Sequence, residues 1–250
     1  MAAVTLSGVE KAFGDTVVLR GLDLRVEAGQ AVALLGPSGS GKTTLLRILS
    51  GDVAVDRGDV SVLGCDLRRA SAKALRRLRV DIGHLYQNDA LVPGLRTVHN
   101  VLLGRVGRWS LARSLLSLVW PQDLERARQA LAAVGLADKL DAPIGSLSGG
   151  QRQRVALARL LVQEPRLVLA DEPATSLDPR LARELLDLLL ELVRKDGRTA
   201  IVSLHQLDLV TERFDRVIAL RDHRVFYDGP PRGVAAVADE LFARSGAEAG

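Results

Sequence analysis

The chain is expected to adopt an α/β fold: a mostly parallel core sheet, an antiparallel β subdomain near the N-terminus, and an α-helical subdomain inserted between core strands. Three observations carry this expectation. The stretches "AVALLG", "LVLAD" and "TAIVSL" are short and almost continuously apolar, the texture of strands buried on both faces of a parallel sheet. By contrast "VTLSGV", "LDLRVEAG" and "GDVSVLG" alternate apolar and polar residues, as half-buried antiparallel strands do. Between about Asp66 and Glu164 the texture turns to helix rich in Leu, Ala and Arg.

Along the chain, the alternation of Leu22, Leu24 and Val26 with Asp23, Arg25 and Glu27 places one strand of the small sheet. In "WPQDLERARQALAAVG", Leu124, Ala127, Leu131 and Val134 share a helix face, with Pro121 in the first turn and Gly135 as the stop. "RVIALRDHRVFYDG" reads as a hairpin turning at Asp222 and His223. One domain of 250 residues is expected. Residues 1–87 and 165–228 form the core with its antiparallel subdomain, 88–164 the helical subdomain, and 229–250 a terminal helix and a frayed tail. Internal repeats and low-complexity tracts are not seen.

Composition narrows the class. With 47% hydrophobic and 26% charged residues the chain reads as globular. No apolar run approaches the roughly 20 residues that span a bilayer, and "LARSLLSLVW" is short and carries Arg113. The start lacks a basic stretch followed by an apolar one, so no secretory signal is expected. A single cysteine, Cys65, excludes an internal disulfide and suits a reducing compartment. The net charge of +4 suits anionic partners, but the arginines are spread along helices as on a solvated surface.

The chemistry starts at "GPSGSGKT", residues 36–43, which matches G-x-x-x-x-G-K-[ST] between an apolar strand and a helix. Gly36, Gly39 and Gly41, with Pro37, Ser38 and Ser40 between them, let successive amides curl round a phosphate at the positive end of a helix dipole. Lys42 reaches the β- and γ-phosphates, Thr43 offers its hydroxyl to Mg²⁺, and Thr44 follows in the first helical turn. In "LVLADEP", Asp171 and Glu172 close a buried strand at its carboxyl end, where open α/β sheets bind ligands. Asp171 is expected to hold Mg²⁺ and Glu172 to polarise the attacking water as general base. Gln87 and His205 end two further strands. The glutamine suits Mg²⁺ and a water, the histidine a γ-phosphate. His84, His99 and His223 read as ordinary turn or strand-end residues.

"GSLSGGQRQR", residues 145–154, opens a helix with two glycines in its first turn, each unfavourable there by about 1 kcal/mol against alanine. Taken in order, the phosphate loop, Gln87, "LSGGQ", "LVLADE", "SLD" and His205 closely resemble the nucleotide-binding domains of ABC transporters over nearly the whole chain. The resemblance implies the P-loop NTPase fold, ATP with Mg²⁺, and a head-to-tail dimer of two copies. In it, Ser148, Gly149, Gly150 and Gln151 reach the partner's nucleotide and Asp178 crosses the seam. Ser148 also suits a helix N-cap. Phe13 stands where the family stacks an aromatic on adenine, a position that equally suits a core phenylalanine.

The resemblance further implies transmembrane permease subunits as partners, a solute-binding protein as an indirect one, no direct nucleic acid, and a peripheral place on the cytoplasmic face of the inner membrane. "NVLLGRVGRWSLARSLLSLVWPQDLERA" and "VSLHQLDLVTERFDRVIALRDHRVFYDGPP" resemble the ATPases of phosphonate importers, which implies phosphonates, phosphite or phosphate esters as cargo. Leu111, Leu115, Leu116, Val119 and Trp120 suit a permease's helix or the lobe's own core, and core is expected for most. Asn88-Asp89-Ala90, Thr175 and His223 depart from the family pattern, none of them at a position expected to touch catalysis. Two rivals remain, a soluble ABC ATPase acting on DNA or ribosomes and an ATP-binding scaffold. The first usually needs a coiled coil or two fused domains, and the presence of Lys42, Asp171, Glu172 and His205 speaks against the second.

Overall fold

Alternation along the first 27 residues produces the outer layer. The structure, a computed structural model, describes residues 1–86, 91–175, 177–210 and 213–243, with only the backbone of Leu111, Leu118 and Val119. Strands β1 (Ala2–Phe13) and β2 (Thr16–Glu27) form an antiparallel hairpin. Leu22, Leu24 and Val26 point inward and Asp23 and Arg25 outward, as the period of two requires. After β3 (Ala31–Leu35), β4 (Arg57–Val62) and β5 (Cys65–Asp66) complete a four-stranded sheet of order β2-β1-β4-β5.

The core sheet contains β3, β6 (Ile82–Leu85), β7 (Leu167–Asp171), β8 (Thr199–Ser203), β9 (Arg216–Arg221) and β10 (Arg224–Gly229), in the order β10-β9-β3-β8-β7-β6. β9, β3, β8, β7 and β6 run parallel, and only β10 is antiparallel. Successive residues of one strand feed two cores. Val32 and Leu34 join the layer under the antiparallel sheet, packed with Leu45, Ile48 and Leu49 of α1 (Lys42–Leu49). Ala31, Ala33 and Leu35 face the helices on the other side. Burial on both faces explains the apolar runs, each large side chain contributing about 1.5–3 kcal/mol. The β9–β10 hairpin turns at Asp222 (φ 48°) and His223 (φ 67°) as expected, and the His223 carbonyl accepts the Arg20 amide.

Helices α2 (Ala72–Val80), α3 (Thr97–Leu102), α4 (Leu111–Val119), α5 (Leu124–Ala133) and α6 (Gly149–Gln163) follow, then α7 (Pro179–Lys195) between β7 and β8. Past β10 come two short helices, α8 (Pro231–Val234) and α9 (Ala238–Phe242). β6, an edge strand of the core sheet, lies within the otherwise helix-rich stretch from Asp66 to Glu164, where a strand before Gln87 was expected. Two local expectations need correction. Pro121 stands before α5 rather than in its first turn, since Asp123, at φ 55°, is the N-cap. Leu115, Leu116 and Trp120 are not core: they are 60%, 55% and 72% exposed, whereas Ser117 of the same helix is buried.

A 3-10 segment, Leu103–Arg108, runs against α6. A Cβ on Gly104 would lie 2.4 Å from the Arg159 carbonyl oxygen, so only glycine permits this approach. Between this segment, α2 and β6 opens a cleft of about 440 Å³, lined by Arg76, Arg79, His84, Tyr86 and Arg159 among others. No helix among the described residues is long and apolar enough to cross a membrane.

Candidate nucleotide site

The loop of residues 36–41 joins the end of β3 to the start of α1. Gly41, at φ 101°, caps α1 without any side-chain hydrogen bond to the first-turn amides, which leaves the positive end of the helix open for an anion. Ser40 is buried, and its Oγ has no hydrogen-bond partner. A buried, unpaired hydroxyl in a loop of backbone amides fits a phosphate oxygen. Lys42 is 4% exposed, and its Nζ donates to the carbonyls of Gly36 (2.8 Å) and Pro37 (3.1 Å). Burial pulls the ammonium below the ordinary lysine value, and the negative charges of Glu172 and Asp171 push it back up. Thr43 is exposed and Thr44 half-buried in the first turn of α1.

Gly36 tests the loop directly. A Cβ there would stand 2.4 Å from the Leu220 carbonyl oxygen and 2.6 Å from Ser40 Oγ, at a φ of 148°. Gly36→Ala is expected to weaken ATP binding at least about tenfold, with a stability loss of about 1–3 kcal/mol from the strained backbone. Titration with a fluorescent ATP analogue, alongside thermal unfolding, checks this.

At the carboxyl ends of β7 and β8 the acids form one cluster. Ser203 Oγ donates to Asp171 Oδ1 at 2.7 Å and accepts the Glu172 amide at 2.9 Å. Glu172 adopts a left-handed backbone, φ 50°. Its Oε1 pairs with His205 Nε2, and its Oε2 accepts from Thr175 Oγ1 at 3.4 Å. The structure brings Asp171, Glu172 and His205 together, and Lys42 lies within range of the charge of the two acids. Thr175, expected not to touch catalysis, hydrogen-bonds the carboxylate of Glu172. Gln87, the other expected ligand of Mg²⁺ and water, lies outside the described residues, as do Asn88, Asp89 and Ala90. The donors that are described, a carboxylate and a threonine hydroxyl, are hard oxygens. With phosphate oxygens they suit Mg²⁺, which is bound through few protein ligands.

Ser148 is the N-cap of α6 in a complete capping box: its Oγ accepts the Gln151 amide and Gln151 Oε1 accepts the Ser148 amide. The Gln151 side chain is thereby occupied within its own turn. The glycines after Ser148 are not demanded by internal packing. A Cβ at Gly149 would meet only Arg152, at 4.0 Å, and one at Gly150 would make ordinary contacts with Leu181 and Leu177. Asp178 caps α7, accepting the Arg180 and Leu181 amides. Phe13 is half exposed at the tip of the β1–β2 hairpin, with Lys11 Nζ 5.0 Å from its ring centre, which rules out the core alternative.

Two buried polar residues escaped sequence reasoning. Ser203 was hidden at the end of an apolar run, where a polar residue at a strand's carboxyl end was the available signal. Asn100 is fully buried in α3 and hydrogen-bonds both the amide and the carbonyl of Val92 and the carbonyls of Leu95 and Arg96. It pins residues 92–96.

Comparison with known proteins agrees with this geometry. Residues 19–175 match the ABC transporter family. A Pseudomonas fluorescens (strain Pf0-1) protein named "Phosphonates import ATP-binding protein PhnC" is 44% identical over 90% of this chain and 85% of its own length. Its namesake in Pseudomonas putida is 41% identical over 97% and 90%. Another, from Anaeromyxobacter dehalogenans, is 45% identical over 91% of this chain, which spans only 45% of that protein. Among solved structures, the dimeric post-hydrolysis state of the ATP-binding cassette MJ0796 bound to ADP and Pi superposes with a TM-score of 0.77 at 30% identity. It covers 92% of this chain and 99% of its own. CbiO1 from Clostridium perfringens, part of the cbiONQ transporter complex, gives 0.81 at 28% identity over 96% and 92%.

Proposed function

The chain belongs to the ABC transporter family, and we propose that it powers an importer of phosphonates or related phosphorus compounds such as phosphite or phosphate esters. As a member it is an ATPase whose hydrolysis drives transport. The observation that carries the catalytic reading is the joining of Asp171, Glu172 and His205 at the carboxyl end of the parallel sheet, with Lys42 buried at the start of α1, which follows β3 of the same sheet. The relatives named for phosphonate import support the cargo. An importer of another small solute is the alternative.

In the proposed mechanism the amides of residues 36–41 and the Lys42 ammonium hold the β- and γ-phosphates, exchanging the two loop carbonyls for phosphate oxygens. Asp171 and Thr43, with Gln87, would hold Mg²⁺, which when bound would neutralise charge on the phosphates. Glu172 orients the water and takes its proton. His205, now on the Glu172 carboxylate, donates to the γ-phosphate, and the Phe13 ring stacks on adenine for about 0.5–1.5 kcal/mol. Ser148, Gly149, Gly150 and Gln151 of one copy close the site of the other, Asp178 lies at the seam, and loss of the γ-phosphate contact releases the pair. The uncrowded space before Gly149 supports this closure in trans.

The partners are then a second copy, a transmembrane permease and, through it, a solute-binding protein, with the chain peripheral on the cytoplasmic face of the inner membrane. The exposed Leu115, Leu116 and Trp120 support a protein or membrane neighbour. Reconstitution with the neighbouring permease and binding protein tests the cargo: phosphonate is expected to stimulate ATP turnover and to be taken up. Stimulation only by an unrelated solute overturns the phosphonate reading and leaves the ATPase standing.

A further inference from the structure

We propose that Ser203 is a positioning residue whose buried hydroxyl locks Asp171 and Glu172 into one unit, tying the carboxylate that faces the cation to the one that faces the water. The inference rests on the roles assigned above to those two acids and adds a residue to them. Ser203 is wholly buried and lies in register with Asp171 across the parallel β7–β8 pair. A hydroxyl has one proton and two lone pairs, and this one spends both capacities on the acidic pair. The proton goes to Asp171 Oδ1 at 2.7 Å, and a lone pair takes the Glu172 amide at 2.9 Å.

Each bond has a distinct consequence. The donated proton fixes which Asp171 oxygen remains free to face the loop. The accepted amide fixes the peptide that enters Glu172, a non-glycine residue held at φ 50°. The direction of the general base is set there, before His205 and Thr175 trim its carboxylate. Val202 and Leu204 on either side are buried and apolar, which leaves the hydroxyl as the polar group that answers both acids at this point of β8. Alanine or valine at 203 supplies neither bond. Threonine supplies both and suits a strand.

The test uses the full chain with Ser203→Ala and Ser203→Thr. Ser203→Ala is expected to lower kcat about 10–100-fold while changing KM for ATP less than about threefold, and Ser203→Thr to recover most of the loss. Fluorescent-ATP binding supplies a readout without turnover. In Ser203→Ala the Mg²⁺ concentration giving half its effect is expected to rise about fivefold or more, with affinity in EDTA unchanged. In a Glu172→Gln background, adding Ser203→Ala is expected to cost less than about threefold further, because residues acting as a unit are not additive.

Turnover and Mg²⁺ response of Ser203→Ala both close to the parent overturn the proposal. Losses that multiply with Glu172→Gln, or a folded Ser203→Thr as impaired as Ser203→Ala, also overturn it by reducing Ser203 to a packing residue. Unimpaired turnover by Glu172→Gln alone instead removes the assigned base, and the Mg²⁺ arm still decides the link to Asp171.

Discussion

Glu172→Gln is expected to slow ATP hydrolysis by about 10²–10⁴-fold and to hold the chain as an ATP-bound dimer. Glutamine keeps the length of the side chain and an oxygen that can still face His205, so folding and nucleotide binding are expected to survive. Its amide cannot take a proton from water. The amide of residue 172 still bonds Ser203, and Asp171 is untouched, which confines the loss to the chemical step. ATP that is bound and not split keeps the γ-phosphate contact that joins two copies. Size-exclusion chromatography with MgATP is expected to show a dimer for this variant and a shorter-lived one for the parent. Turnover within a few-fold of the parent would falsify the assignment of Glu172 as base.

Two inactive chains are expected to restore activity when mixed. Lys42→Ala removes the buried ammonium from the phosphate loop. Ser148→Arg fills the corner before Gly149, where this chain itself places nothing closer than Arg152 to a Cβ. It also removes the α6 cap, worth about 0.5–2 kcal/mol, a loss that thermal unfolding measures separately. In a mixed pair, one site combines the intact loop of the Ser148→Arg chain with the intact corner of the Lys42→Ala chain. Its partner site carries both defects. ATPase activity in the mixture above that of either variant alone is the expected result. Additive residual activity, with mixed dimers shown to form by pull-down through a tag on one variant, excludes completion in trans.

Strands and the phosphate loop were legible because each answers a strong local rule. Val32 and Leu34 face one core and Ala31, Ala33 and Leu35 the other, so an unbroken apolar run could only be a strand covered on both sides. The loop of residues 36–43 is fixed by glycines that backbone geometry demands. Long-range polar bonds were less legible. Ser203 meets Asp171 across 32 positions of sequence, and nothing near either residue signals the other. The residue type of Thr175 does not reveal the turn that returns it to Glu172. Helix α4 misled for a different reason: its leucines have the spacing of a core face, yet the helix turns Ser117 inward and Leu115, Leu116 and Trp120 outward. Periodicity reports that a face is apolar, not which side of the helix the molecule covers.

The bare backbone at Gly104 has a geometric consequence. Because a Cβ there would lie 2.4 Å from the Arg159 carbonyl oxygen, the segment lining the arginine-rich cleft packs directly on α6. That helix is uninterrupted from Gly149 to Gln163, so its far tip, at Ser148, stands about 16 Å from Arg159 along the axis. Part of the lining of the cleft and the Ser148 corner therefore sit on one unbroken helix.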